Sequence, residues 1–280
     1  WDYLPSLNIL ALRMPSPKHE AFLVQLRTRV LRDLASISSG SGPAAQFAKD
    51  IFSDGSTTIK PRDIRFGRHD PDDSFRHVQE SYPGLVIEAA FSQKGKRLGV
   101  IAEDMILGSD GEVRVVVGFD IDYVGKRATF SVWEPVLQTG VDGPIWTAQK
   151  TVADQVFEVI RDENGRPHPD PGAGLRLQLE QFATEEFTRQ FGNLDSTIVI
   201  PSQDLYTFLV VAEERAVVVE QKAMPRKPGM KKRRRSHTPP EVLDRDRESA
   251  FDQEVERAAK RRDVEDSSYT ASSTPDEGRQ

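Results

Sequence analysis

The sequence predicts an α/β protein with a mixed central sheet flanked by helices, and three observations carry that prediction. An apolar, strand-like run at Leu85–Phe91 is followed by helical spacing over Gln93–Leu107 and by a second apolar run at Val113–Ile121. A strand, a helix and a strand joined by short links form a βαβ unit whose strands are parallel. A third run, Arg127–Val136, follows a turn near Gly125 and is expected to pair antiparallel, which makes the sheet mixed.

The chain before this unit is predicted to be helical. Ser16 and Pro17 are typical of a helix start, because Ser caps the first turn and Pro suits the first helical position. Apolar residues then recur with helical spacing from Phe22 to Ile37, which predicts an amphipathic helix. A Ser- and Gly-rich segment ends it, and a shorter helix is expected over Ala44–Phe52.

Shorter elements are predicted after the βαβ unit. Ile145–Val159 is expected to be a strand that passes into irregular structure, and Leu175–Leu179 and Thr197–Ile200 are expected to be short strands. Thr184–Phe191 suits a short helix. Gln203–Glu220 suits a helix or, at its three consecutive valines, a strand, and we favour the helix.

The charge distribution divides the chain into an acidic body and a basic tail. Residues 1–220 hold 23 Lys and Arg against 32 Asp and Glu, whereas residues 221–280 hold 15 against 12. An acidic body is not the usual footprint of a strong nucleic-acid binder, so such contacts would need a local basic patch or a metal. The low hydrophobicity and high charge of the tail predict disorder. We therefore predict one domain over 1–220 and a disordered tail over 221–280.

Composition also excludes several classes of protein. The chain has no cysteine, which excludes disulfides and Cys-ligated zinc or iron–sulfur sites and fits an intracellular protein. No apolar run approaches the roughly 18 residues of a membrane span, and no signal peptide is visible, so no membrane association is expected. The sequence contains no HExxH, P-loop or G-x-S-x-G motif. It begins at Trp1 rather than Met, as expected of a fragment.

A carboxylate interrupts the apolar strand at Leu85–Phe91. Burying the charge of Glu88 is unfavourable unless a partner compensates it. Asp72 lies in an acidic turn shortly before this strand. If the two carboxylates converge, they suit Mg²⁺ or Mn²⁺ and leave positions for water and phosphate. The alternative is that Glu88 pairs with an arginine or lies at a solvated strand end.

This region resembles the PD-(D/E)XK nuclease superfamily, which has the restriction-endonuclease-like fold. The matching pattern is Pro71-Asp72, a linker, an apolar strand with Glu88, Ser92-Gln93, and then a helix and a strand. The resemblance extends over residues 14–136. It is closest to a branch whose first helix carries His-Glu, here His19-Glu20.

The resemblance implies a core of the α-β-β-β-α-β type and a magnesium-dependent site. Asp72 and Glu88 match the metal-binding acids, and Glu20 matches an auxiliary acid from the first helix. The superfamily lysine belongs two residues after the glutamate, where this chain has Ala90. Gln93 or Lys94, or Lys96 beyond them, is expected to take its place near the scissile phosphate.

A basic cluster lies in the predicted tail. Five consecutive residues, Lys231, Lys232, Arg233, Arg234 and Arg235, are typical of a nuclear localisation signal recognised by an import receptor, or of a nucleic-acid-binding patch. The alternative is a solvated stretch with no receptor. The signal predicts a nuclear location.

Two functions are consistent with these observations. The first is a metal-dependent nuclease that cleaves phosphodiester bonds in nucleic acid. The second is a catalytically inactive nuclease-fold module that binds nucleic acid or protein, and the alanine at position 90 favours it. A globular domain with no activity of its own is the third alternative.

Overall fold

The computed structural model describes residues 2–4, 9–11, 15–63, 65–91, 97–122, 125–140, 143–151 and 159–222. By its internal contacts the chain divides into two compact units, Trp1–Met224 and Pro225–Gln280. The second unit lies outside the described residues, as does the basic cluster at 231–235. The two residues at the start of the predicted tail, 221 and 222, belong instead to the last helix of the first unit.

The first unit contains eleven described strands and five described α-helices. The strands are β1 (Asp2–Leu4), β2 (Ile9–Ala11), β3 (Ile51–Ser53), β4 (Asp73–His77), β5 (Leu85–Ala90), β6 (Val115–Ile121), β7 (Ala128–Gly140), β8 (Gly143–Lys150), β9 (Val159–Arg161), β10 (Gly174–Gln178) and β11 (Thr197–Pro201). The helices are α1 (Pro17–Ser38), α2 (Pro43–Lys49), α3 (Leu98–Gly108), α4 (Glu185–Thr188) and α5 (Ser202–Lys222). Two 3₁₀ helices cover Leu179–Phe182 and Arg189–Phe191.

A mixed seven-stranded sheet forms the centre of this unit. Its strand order is β3-β4-β5-β6-β7-β8, and β9 also pairs with β7. Only β5 and β6 pair in parallel, and α3 connects them. The other pairs in the sheet are antiparallel. The predictions of a mixed α/β sheet, of the parallel βαβ unit and of the antiparallel strand after it are therefore confirmed.

Helices cover both faces of the sheet because its strands alternate apolar side chains between two cores. On one face, Leu85 and Ile87 of β5 pack with Phe22 and Leu26 of α1 and with Leu209 of α5. On the other face, the core is formed by α3 and by the intervening sheet positions: Val86, Ile101, Met105, Ile106, Val113 and Val116. We call these the α1 face and the α3 face.

Two short antiparallel pairs lie outside the central sheet. β10 pairs with β11, and β1 pairs with β2. Leu175 and Ile200 of the first pair are fully buried in the core on the α1 face. The predicted short strands at these positions are confirmed, and β11 leads directly into α5.

The start of α1 follows from local chemistry. Ser16 has extended backbone angles, and its hydroxyl accepts a hydrogen bond from the His19 backbone N–H at 3.2 Å. Pro17 occupies the first turn, as predicted. These two residues fix where the helix begins, and His19 therefore lies in its first turn, at the end of the helix nearest Asp72.

One sequence prediction needs correction. The segment predicted as a helix over Ala44–Phe52 splits into α2 and the edge strand β3. The helix favoured over Gln203–Glu220 is confirmed, and Val217, Val218 and Val219 near its end are about half exposed. No helix among the described residues is long and apolar enough to cross a membrane.

An ion-pair network fastens α5 to β9 and to α1. Arg161, 3% exposed, donates two hydrogen bonds to the Glu213 carboxylate, at 2.6 and 3.1 Å. Lys18 Nζ lies 2.8 Å from the same carboxylate. Burial raises the pKa of Glu213, but the hydrogen bonds and charges of Arg161 and Lys18 outweigh it and hold the pKa below its ordinary value of 4.5.

Glu213→Gln should make the protein less stable at neutral pH, and this loss should shrink in acid. Because the folded-state pKa lies below the unfolded one, the charged carboxylate stabilises the fold above about pH 4.5, and this is lost as the pH falls through the folded value. The free energy of unfolding of both proteins, measured by urea denaturation across this range, tests it. Glu214→Gln, at an exposed position on the same helix, is the control. A pH-independent difference between wild type and Glu213→Gln would contradict it.

Candidate active site

The register of β4 and β5 determines where the two predicted acids lie. Asp73 pairs with Ile87 and Ser74 with Val86 in this antiparallel ladder. The ladder ends at Asp73, and Asp72 directly precedes it in the chain. Since Asp73 pairs with Ile87, the fold brings Asp72 close to the part of β5 that contains Glu88, although the two acids are 16 positions apart in the sequence.

The Asp72 carboxylate is held at the end of this ladder. Its Oδ2 accepts a hydrogen bond from the Ala89 backbone N–H at 2.7 Å. The same oxygen lies 3.2 Å from His19 Nε2. The first turn of α1, the start of β4 and the end of β5 therefore meet at Asp72.

His19 links two of the predicted site residues. Its Nδ1 lies 3.2 Å from Glu20 Oε1, while its Nε2 faces Asp72. Burial lowers the pKa of His19, but the hydrogen bond and charge of Asp72, and then those of Glu20, outweigh burial and raise the pKa above 6.5. The protonated ring donates from both nitrogens, so it suits a position between two carboxylates.

Glu88 lies on the α3 face, on the same side of β5 as Val86 and Ala90. Its side chain is almost completely buried, with 2% exposed. In the parallel register, Glu88 pairs with Gly118 and Ala90 pairs with Asp120. Side chains at these four positions project from one face because paired residues share a face and alternate residues return to it.

Asp120 is the third acid on this part of the sheet. It is half-buried, and its antiparallel partner on β7 is Thr129. Burial raises the pKa of Asp120; the charge of Arg127 opposes this and that of Asp122 adds to it, and the pKa is above 3.8. Asp120 is the penultimate residue of β6 and lies on the same face as Glu88.

A covered region adjoins Glu88 on the next strand. A Cβ added at Gly118 would lie 2.7 Å from the Trp133 ring and 3.3 Å from the Leu98 side chain. A glycine is therefore required for the Trp133 side chain of β7 and the Leu98 side chain of α3 to cover the sheet here. Ala90 and Asp120, further along the strands, are partly exposed.

The two consecutive aspartates have different environments. Asp73 is 1% exposed, and Arg27 Nε donates to its Oδ2 at 2.6 Å. Its Oδ1 accepts from the Ser53 hydroxyl and from the Ser74 backbone N–H, both at 2.9 Å. Asp73 therefore links β4 to β3 and α1. Of the two aspartates, Asp72 is the one that belongs to the candidate site.

The other predicted site residues are distributed as follows. Glu20 lies in the first turn of α1 beside His19, and its side chain is 58% exposed. Gln93 and Lys94 lie outside the described residues. His77, close to the acids in the sequence, is a buried residue of β4, and its ring centroid lies 5.0 Å from that of Phe47 and 4.6 Å from that of Phe187.

No set of three or more His, Asp or Glu side chains within the described ranges is grouped so that it could hold a metal ion. The donor types at Asp72 and Glu88 nevertheless suit Mg²⁺, which is usually bound through one or two carboxylates together with water and substrate phosphates. Two carboxylates together with a bound substrate are therefore ligands of the type that Mg²⁺ binds.

Comparison with known proteins identifies no relative. No family model, no curated protein and no solved structure matches the chain.

Proposed function

We propose that this protein is a metal-dependent nuclease of the PD-(D/E)XK type, with Asp72 and Glu88 as its metal-binding acids. The observation that carries the proposal is the β4–β5 pairing, which ends at Asp73 and Ile87, the residues next to Asp72 and Glu88. The side chain of Asp72 is further tied to the backbone beside Glu88 through the Ala89 N–H.

The order of the elements supports the same proposal. After α1 and the short α2, the chain forms three consecutive antiparallel strands, β3, β4 and β5, and continues through α3 into β6. This is the α-β-β-β-α-β order that the resemblance implies, with α2 as an addition. Asp72 directly precedes its second strand, and Glu88 lies within its third strand.

The donor chemistry at this position fits a hard cation. Asp72 and Glu88 would hold Mg²⁺, with Glu20 as an auxiliary acid. When bound, the metal supplies Lewis-acid polarisation of the phosphodiester and lowers the pKa of an attacking water. His19 orients the Asp72 carboxylate, because it occupies one side of Oδ2 while the Ala89 N–H occupies another.

Cleavage of plasmid and linear duplex DNA by the purified full chain tests this function. We expect cleavage with Mg²⁺ or Mn²⁺ and none with EDTA, and a parallel reaction on RNA identifies the preferred nucleic acid. Absence of cleavage of both DNA and RNA with either metal would contradict the nuclease and favour the second candidate.

The second candidate is an inactive nuclease-fold module that binds nucleic acid or protein. One observation favours it: Ala90 shares the face of Glu88 and has no group to position water or stabilise charge on phosphate. In this candidate the His19–Asp72 contact holds α1 against the sheet.

Ala90→Lys distinguishes the two candidates. Position 90 is partly exposed on the face of Glu88, so a lysine there can place its ammonium beside the two acids. We expect cleavage to rise at least about ten-fold, because a positioned cation stabilises developing charge. Multiple-turnover cleavage assays of wild type and variant measure it, and the exposed substitution Gln46→Lys on α2 controls for added charge. Unchanged cleavage would contradict a catalytic role for this face.

We expect the proposed nuclease to be located in the nucleus. The cluster at 231–235 is the import signal in this proposal, and its recognition by an import receptor rests on five consecutive cations. Replacing all five residues with alanine should move a fluorescent fusion of the chain out of the nucleus. Retention of the nuclear signal would contradict the assignment.

A further inference from the structure

We propose that a cleft on the outer part of the sheet, lined by Lys60 and Arg76, binds a sugar phosphate. The cleft has a volume of about 270 Å³. It is separate from the Asp72–Glu88 pair, and the inference does not depend on nuclease activity. Its lining combines cations, hydroxyls and a small apolar wall: Asp54, Thr57, Thr58, Ile59, Lys60, Ser74, Arg76, Ser81, Tyr82 and Pro83.

Arg76 is fixed on one side of the cleft. Its Nε and one terminal nitrogen donate to the two oxygens of Asp54, at 2.7 and 3.1 Å. The other terminal nitrogen donates to the Glu80 carbonyl at 3.2 Å, and the guanidinium lies 5.3 Å from the Phe52 ring centroid. These three bonds use three of the five guanidinium N–H groups, so two remain for a ligand on a rigidly held side chain.

Lys60 gives the cleft its net positive charge. Arg76 and Asp54 neutralise each other, and no acidic side chain of the described part of the chain pairs with the Lys60 ammonium. Lys60 is exposed at the rim, while its carbonyl accepts a hydrogen bond from the Tyr82 hydroxyl at 2.7 Å. In a domain whose overall charge is negative, this local cation favours an anionic ligand.

The hydroxyl groups of the cleft add a second requirement that the ligand must meet. Thr57 donates to the Asp54 carbonyl, Ser74 to the Gly55 carbonyl, and Thr58 to the Asp70 carboxylate. Ser74 is 1% exposed, and Thr58 also accepts from Arg68 at 3.3 Å. Because a hydroxyl has one proton and two acceptor sites, Thr57 and Thr58 retain capacity to accept from a ligand but not to donate. A matching ligand therefore presents hydroxyl donors as well as an anion.

A phosphate carried on a sugar meets both requirements. Its phosphate oxygens match the Lys60 ammonium and the remaining Arg76 N–H groups, and its hydroxyls match the acceptor sites of Thr57 and Thr58. The volume is slightly below the roughly 300–1,000 Å³ of sites that enclose a drug-sized ligand. One sugar phosphate unit, either free or within a nucleic-acid backbone, is therefore the expected occupant.

Calorimetric titration of the full chain with ribose 5-phosphate, in EDTA, tests the proposal. We expect saturable binding with a dissociation constant of about 1 mM or below, tighter than for inorganic phosphate or ribose alone. Lys60→Gln should weaken it at least about five-fold, because it removes a charge-assisted contact. Lys49→Gln, an exposed lysine outside the cleft, should change it less than about two-fold. The basic tail is common to all these proteins, so the difference between variants isolates the cleft.

Ser81→Glu is an independent second variant. Ser81 is exposed at the cleft, so the substitution adds a negative charge without disturbing the core, and it should also weaken ribose 5-phosphate binding at least about five-fold. Binding that is absent at about 10 mM, or equal in wild type, Lys60→Gln and Ser81→Glu, would overturn the proposal.

The source of the phosphate is resolved by a second titration with a fluorescent single-stranded oligonucleotide, again in EDTA. If the backbone is the occupant, Lys60→Gln should weaken binding and reduce the salt dependence of the affinity by about one ion. If ribose 5-phosphate binding depends on Lys60 and oligonucleotide binding does not, the occupant is a free sugar phosphate. Both results support the cleft, and neither requires cleavage.

Discussion

Glu88→Gln should reduce metal-dependent cleavage at least about 100-fold while the fold is retained. Glutamine has the size and shape of glutamate, so it fits the almost completely buried position, but it lacks the negative charge that a divalent cation requires. Lewis-acid stabilisation contributes several kcal/mol to such reactions, and about 1.4 kcal/mol corresponds to a ten-fold change in rate. Initial cleavage rates at saturating Mg²⁺, with circular dichroism to verify folding, measure the effect.

Glu103→Gln is the matched control for this experiment. Glu103 lies on the exposed side of α3, so its substitution removes the same charge at a distance from the acids and should leave the rate unchanged. Direct Mg²⁺ titration of wild type and Glu88→Gln separates loss of metal binding from loss of a later step. Equal cleavage rates in Glu88→Gln and wild type would show that Glu88 holds no catalytic metal.

Arg27→Met should destabilise the domain by about 2–4 kcal/mol. The substitution keeps most of the apolar stem but removes the guanidinium that donates to Asp73 at 2.6 Å. Removing one partner from a buried ion pair typically destabilises by about 3–5 kcal/mol, because the other charge stays buried without it. The expected range is slightly lower because the Arg27 side chain is 35% exposed and water can reach it, whereas that of Asp73 is 1% exposed.

Urea denaturation at pH 7 measures this effect, with Arg32→Met as the control. Arg32 lies on the same helix and its side chain is 70% exposed, so the change there should stay within about 0.5 kcal/mol. The double variant Arg27→Met, Asp73→Asn should recover part of the loss, since it removes the uncompensated charge. Equal stability of Arg27→Met and Arg32→Met would mean that the Arg27–Asp73 bond contributes nothing.

The Glu88→Gln and Arg27→Met experiments distinguish the roles of Asp72 and Asp73, two neighbouring aspartates that look alike in the sequence. Asp73 faces α1 and compensates Arg27, whereas Asp72 meets His19 and the backbone beside Glu88. We therefore expect variants of Arg27 mainly to change stability, and variants of Glu88 mainly to change activity. The two aspartates differ in their partners rather than in the helix that they meet, because Arg27 and His19 both belong to α1.

The parts of the fold that local chemistry specifies were predicted from the sequence. α1 has a Ser cap, a Pro in its first turn and regular apolar spacing, and all three operate within a few residues. β5, α3 and β6 were predicted because a buried parallel strand is a continuous apolar run whatever lies beside it. Glu88 was selected for the same reason, since a lone charge within such a run is conspicuous.

The elements whose buried side chains are polar could be located only from the tertiary structure. β4 was not predicted, because Asp73 and His77 occupy buried positions and make the strand resemble a polar turn. They are stable there only because Arg27 approaches from α1 and Phe47 from α2, contacts between residues 30 or more apart in the sequence. The sequence by itself therefore determined the βαβ unit and the unusual charge at Glu88. The β4–β5 pairing that brings Asp72 close to Glu88, and the contact between His19 and Asp72, required the folded chain, because both join residues that lie far apart in the sequence.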